Sequence, residues 1–97
     1  MSRYPTEPEL KYIEKFDITR RSVKELIDYV KSIWGFENWG FKLKGKKVLY
    51  LELHTGGWSG NEEILQSLKK NYLFWGMYWE KSIKGGHHYF KIKELKK

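Results

Sequence analysis

The stretch His54-Thr55-Gly56-Gly57-Trp58-Ser59-Gly60-Asn61-Glu62-Glu63 decides how the chain is laid out. Before it, Val48 to Thr55 alternates: Leu49, Leu51 and Leu53 share one side, and Val48, Tyr50, Glu52 and His54 the other. That is the period of a strand with one buried face. After it, Ile64, Leu65 and Leu68 recur at helical spacing, which predicts a helix from about Asn61 to Lys70. Glu62 and Glu63 suit its positive end, and Lys69 and Lys70 its negative end. Three glycines between strand and helix supply a tight turn. Ser59 or Asn61 is expected to cap the helix, with Trp58 plugging the core edge and Asn71 taking a left-handed position after its end.

Upstream of the strand, Trp39, Phe41 and Leu43 alternate with Gly40, Lys42 and Lys44, and Gly45-Lys46 reads as a hairpin turn. Further back, Val23, Leu26, Ile27, Val30, Ile33 and Trp34 form a one-sided helical stripe ended by Gly35; Ser22 and Glu25 match a capping box, and Thr19 or Asp17 could cap the helix equally well. Thr6-Glu7-Pro8-Glu9 starts a shorter helix carrying Leu10, Ile13 and Phe16. Downstream, Leu73 to Ser82 reads as an aromatic strand. Leu73, Trp75, Met77 and Trp79 fall on one face, and Phe74, Gly76, Tyr78 and Glu80 on the other. Lys84-Gly85-Gly86 then turns the chain into a last strand, His87 to Lys93. The element order α-α-β-β-α-β-β predicts an α+β fold. Two hairpins would make a four-stranded antiparallel sheet with helices packed on one face. The whole chain, 1–97, reads as one domain, with 1–5 and 94–97 as loose ends.

Composition narrows the function. There is no cysteine, which removes disulfides and thiolate metal sites and fits a reducing cytoplasm. The N-terminus has no apolar signal region, and no run approaches the roughly 20 apolar residues of a membrane span. The expectation is a soluble, cytoplasmic protein with no membrane partner. Net charge is +7, all of it contributed by residues 39–97, which hold twelve Lys and five Glu; residues 1–38 are balanced. Such asymmetry suits a polyanionic partner. Because sixteen of the nineteen cations are Lys, it also suits a merely solvated surface.

With the leucine face turned to the helices, the opposite sheet face carries Lys42, Lys44, Tyr50, His54, Phe74, Tyr78, His87, Tyr89, Lys91 and Lys93. Rings among cations form a stacking platform of the kind that binds single-stranded RNA or DNA. The same rings could instead be cross-strand pairs that stabilise the sheet, or a patch that pairs two copies into a homodimer.

The glycine loop is no Walker sequence, since it lacks the closing Gly-Lys-Ser/Thr, and the two glutamates at the helix start would repel an anion. Its expected role is geometric: Trp58, Ser59 and Asn61 would edge a pocket beside Gly85, Gly86 and His87. His54, His87 and His88 match no zinc spacing, and adjacent His87 and His88 point to opposite faces of a strand. No metal, cofactor or catalytic residue is therefore expected, and a histidine-dependent hydrolase is the minor enzymatic alternative.

Gly57-Trp58-Ser59-Gly60-Asn61-Glu62, Phe74-Trp75 with Tyr78-Trp79, and Gly85-Gly86-His87-His88-Tyr89-Phe90 together resemble small uncharacterised bacteriophage and prophage proteins, over roughly residues 50–92. The resemblance implies a small mobile-element protein acting in the host cytoplasm, and no assigned activity. Proteins in that setting often bind and inhibit a host factor or a defence system. The expected function is thus a basic, non-enzymatic nucleic-acid-binding protein. The alternative is a phage-encoded inhibitor of a host or defence protein, or of its nucleotide signal.

Overall fold

A computed structural model describes residues 4–93. Helix α1 spans Glu7–Lys15 and α2 Val23–Ile33; a single turn, α3, covers Glu37–Gly40. Strands β1 (Phe41–Gly45) and β2 (Val48–His54) follow, then helices α4 (Ser59–Lys70) and α5 (Tyr72–Tyr78), then β3 (Trp79–Ile83) and β4 (His87–Lys93). The four strands form one antiparallel sheet in the order β1-β2-β4-β3. The fold is α+β with two hairpins, as expected, and the two hairpins meet along β2 and β4.

Local chemistry explains most boundaries. At the start of α1, Thr6 and Glu9 form the reciprocal cap read from the sequence: the Thr6 N–H donates to Glu9 Oε1 at 2.8 Å, and the Glu9 N–H to Thr6 Oγ1 at 3.3 Å. Ser22 caps α2 by accepting from the Lys24 N–H at 3.1 Å, while Glu25 turns instead to Arg21, 2.8 Å away. The left-handed residue after α2 is Phe36, at φ 58°, rather than Gly35. The core joins Ile13, Leu26, Ile27 and Val30 to Ile64, Leu65 and Leu68, and to the inner sheet face of Leu51, Leu53, Phe90 and Ile92. Burying such side chains contributes roughly 1.5–3 kcal/mol each.

Several expectations are corrected. Residues 73–78 are helical, and β3 begins only at Trp79. Asn71 causes this: its Oδ1 accepts from the Phe74 N–H at 3.2 Å and starts α5. Asn71 is not left-handed, having φ −81°, and it serves both helices as a joint. Helix α4 starts at Ser59, two residues early, and neither Ser59 nor Asn61 caps it; Trp58 holds the cap position without a side-chain bond. Trp39 lies in α3, outside the sheet. At the ends, residues 1–3 and 94–97 lie outside the described residues. Tyr4 is not loose: its ring lies 5.1 Å from that of Trp58, and its hydroxyl is 2.9 Å from Ser59 Oγ.

Candidate nucleic-acid interface

The outer sheet face is built by alternation. Leu49, Leu51, Leu53, Phe90 and Ile92 turn inward. Their neighbours in the strands therefore turn outward. Register then sets them in rows. Lys42 lies opposite Glu52, which lies opposite Tyr89, which lies opposite Lys81. Lys44, Tyr50 and Lys91 form a second row, and His54, His87 and Ile83 a third. Val48 pairs with Lys93 at the far end. Eight of the ten residues expected on this face are there.

The exceptions are Phe74 and Tyr78. Both are buried in α5, with the Phe74 ring 5.6 Å from Phe90 and 5.5 Å from Tyr78. A helix brings residues four apart to one side, and here that side is the core. Sequence reading missed Lys81 and Ile83, because a register shift between Trp79 and Lys81 reverses which β3 residues face outward. The Asn71 cap signal, with Phe74 and Tyr78 four apart, was the clue to the helix.

The rings differ in availability. Tyr50 is 44% exposed. Tyr89 is half-buried, with Lys81 Nζ 5.2 Å from its ring centre and the His54 ring edge-on at 6.0 Å.

Charge is partitioned sharply. Among the described residues, every Lys or Arg that pairs with a carboxylate lies between Lys11 and Lys24, on or beside α1 and α2. Lys42, Lys44, Lys81, Lys91 and Lys93 on the sheet have no such partner among those residues. Glu52, the carboxylate among them, is engaged by His54.

No family model, curated protein or solved structure matches this chain.

The two glycine loops do meet at one sheet edge. The Thr55 N–H donates to Gly86 O at 2.9 Å, and a Cβ on Gly86 would run into Thr55 Oγ1. Gly56, at φ 64°, lies under the Trp39 ring, and Gly60 lies under Trp58. Thr55 and Asn61 of the loop are buried, whereas Ser59 is exposed. Asn61 Oδ1 accepts from the Gly35 N–H at 2.7 Å, and its Nδ2 donates to Gly35 O at 2.9 Å and Thr55 O at 3.4 Å. Asn61 is thus a structural clamp, not a pocket edge. Ser59 meets Tyr4, and Trp58 covers Gly60 beneath Tyr4 and Phe36.

At that edge the imidazoles of His54 and His87 share a hydrogen bond, Nδ1 to Nδ1, of 2.8 Å, and His54 Nε2 lies 3.3 Å from Glu52 Oε1. Proton counting orders the chain. With both rings neutral, the arrangement that satisfies these contacts has His54 Nε2–H donate to Glu52 and His87 Nδ1–H donate to His54 Nδ1. Among the described residues no group of three or more His, Asp or Glu could hold a metal ion. His88 faces the other way, with Nδ1 2.7 Å from Ser82 Oγ. Burial, helped by the nearby Lys69 ammonium, lowers its pKa to about 4. It is neutral at pH 7 and a poor general base. No helix among the described residues is long and apolar enough to cross a membrane.

Proposed function

We propose that this protein binds single-stranded nucleic acid through the outer face of its sheet, without turnover. The observation that supports this is the partition of charge. Among the described residues of the helical half, Lys11, Arg20, Arg21 and Lys24 pair with carboxylates, whereas Lys15 and Lys31 do not; the sheet lysines all stand without a carboxylate partner among those residues, around Tyr50 and Tyr89. Unpaired ammonium groups release phosphate counterions when a strand docks, and exposed rings accept bases by stacking. Base-edge recognition has little to draw on here, so the binding is expected to be tolerant of sequence.

The test is fluorescence anisotropy with a labelled eight-nucleotide dT strand across a salt series. Contact with about three to five phosphates gives a slope of log K against log salt near −2 to −3.5. Absence of binding at low salt, or a flat slope, would remove the reading. Tyr50→Ala is expected to weaken binding by about 1–3 kcal/mol, and Tyr89→Ala by less because Lys81 covers that ring.

A second reading has its own support. Phe36 and Trp39 are stacked at 18° and are 49% and 50% exposed, which makes an apolar patch beside the glycine loop. Such a patch suits a protein partner, either a second copy or, in the phage setting, a host or defence protein to be inhibited. Recovery of one stoichiometric protein that is lost with Trp39→Ala would favour it over the first.

A further inference from the structure

The row Lys44–Tyr50–Lys91 ends in a structural gap. Strand β3 pairs with β4 only from Trp79, opposite Phe90, toward Ile83. Lys91 to Lys93 of β4 therefore have β2 on one side and no β3 partner on the other. The C-terminal end of α5 stands there instead. It leaves a hollow of about 440 Å³ lined by Met77, Tyr78, Trp79, Glu80, Lys91 and Lys93. That volume is within the range of small-ligand sites, about 300–1,000 Å³.

We infer that this hollow seats one nucleotide of the bound strand, its base on Trp79 and its phosphate at Lys91 and Lys93; the inference rests on the function proposed above. Trp79 is prepared for this role. Its ring is stacked on Trp75 at 15° and 5.7 Å, and its Nε1–H donates to Ser82 Oγ at 2.9 Å. Held on one side and at one edge, it is still 42% exposed. A large ring fixed in place loses little freedom when a base stacks on it. Met77, 43% exposed, adds a polarizable apolar wall. The charges set the orientation. Lys91 and Lys93 have no carboxylate partner among the described residues and attract phosphate. Glu80, an acceptor only, repels phosphate and suits the amino or imino edge of a base or a ribose hydroxyl. A strand crossing the sheet along this row would meet Lys44, stack on Tyr50, pass Lys91 and then turn over the open edge of β4 to reach Trp79, which lies opposite the inward-facing Phe90.

The experiment titrates labelled dT8 and, separately, dTMP into the intact protein and into Trp79→Ala, Trp79→Phe, Lys93→Glu and Tyr50→Ala, with circular dichroism to verify folding. Trp79→Ala is expected to weaken dT8 by about tenfold and Trp79→Phe far less, since a ring remains. Lys93→Glu is expected to weaken dT8 and flatten its salt slope by about one phosphate contact or more. If Trp79→Ala and Lys93→Glu bind dT8 as the parent does while Tyr50→Ala weakens it, the hollow is refuted and the sheet-face reading stands. If dT8 fails to bind but dTMP binds in a Trp79-dependent manner, the hollow takes a free nucleotide and the sheet-face reading falls. If neither binds, both fall. Should Trp79→Ala unfold, undiminished binding by Lys93→Glu is enough to overturn the inference.

Discussion

Two buried asparagines hold distant parts of the chain together. Asn61 satisfies both backbone groups of Gly35, and Asn71 donates to the carbonyls of Ile13 and Phe16 at 2.9 Å each while starting α5. An unpaired buried polar group costs about 1–3 kcal/mol. Asn61→Ala is therefore expected to lower stability by about 2–3 kcal/mol in urea unfolding; a loss well below about 1 kcal/mol would show that water replaces the amide. The sequence suggested a cap at Asn61 and a helix end at Asn71. Both asparagines were legible as structural, but their partners lie far away in the chain and left no local signal.

His88 gives a pH dependence whose sign can be worked out. Its folded pKa of about 4 lies below the ordinary 6.5. Between those values the unfolded chain binds the extra proton and the folded one does not, so stability falls as pH drops from 6.5 toward 4. The midpoint of thermal unfolding should decline over that window, and His88→Gln should flatten the decline. An unchanged slope in the variant would assign the effect to other groups.

At the scale of the element, the instructive case is α5. Leu73-Phe74-Trp75-Gly76-Met77-Tyr78-Trp79 satisfies both periods, with alternate residues apolar and Phe74 and Tyr78 four apart. Nearly all its residues are large and apolar, so the pattern cannot distinguish strand from helix. The Asn71 cap decides it, and burial of Phe74 and Tyr78 secures the result. By contrast, β2 mixes Leu with Tyr, Glu and His, and both of its faces were readable residue by residue. Gly76 offers a direct check. It is exposed in mid-helix, its φ is not positive, and a Cβ at this position would have nothing within 4 Å. Gly76→Ala should raise stability by about 0.5–1 kcal/mol, because the unfolded chain loses freedom that the helix does not need. Destabilisation would contradict a helix over these residues.

At the scale of the whole molecule, charge and topology divide the protein in the same way. The helical half is balanced and, among the described residues, holds every ion pair between Lys or Arg and a carboxylate; the sheet half carries the net +7. Mutual repulsion of unpaired lysines opposes compaction and is screened by salt, over a Debye length near 10 Å at about 0.1 M. The urea midpoint should thus rise as sodium chloride goes from about 0.05 to about 0.5 M, the condition that weakens strand binding. A midpoint that is flat or falls would mean the sheet lysines do not repel one another appreciably.

The strand order β1-β2-β4-β3 also carries a timetable. Each hairpin closes over a short turn, but the central seam pairs Val48 with Lys93 and His54 with His87, across α4 and α5. Closing that longer loop is the slow entropic step. Helix α1 touches α2 through Tyr12 and Tyr29, but it rests mainly on α4 and on the Asn71 amide, which are in place only once the later part of the chain has folded. The first helix to be synthesised is then among the last to settle. In stopped-flow kinetics, Ile92→Val at the seam should slow folding, whereas Ile13→Val in α1 should chiefly speed unfolding.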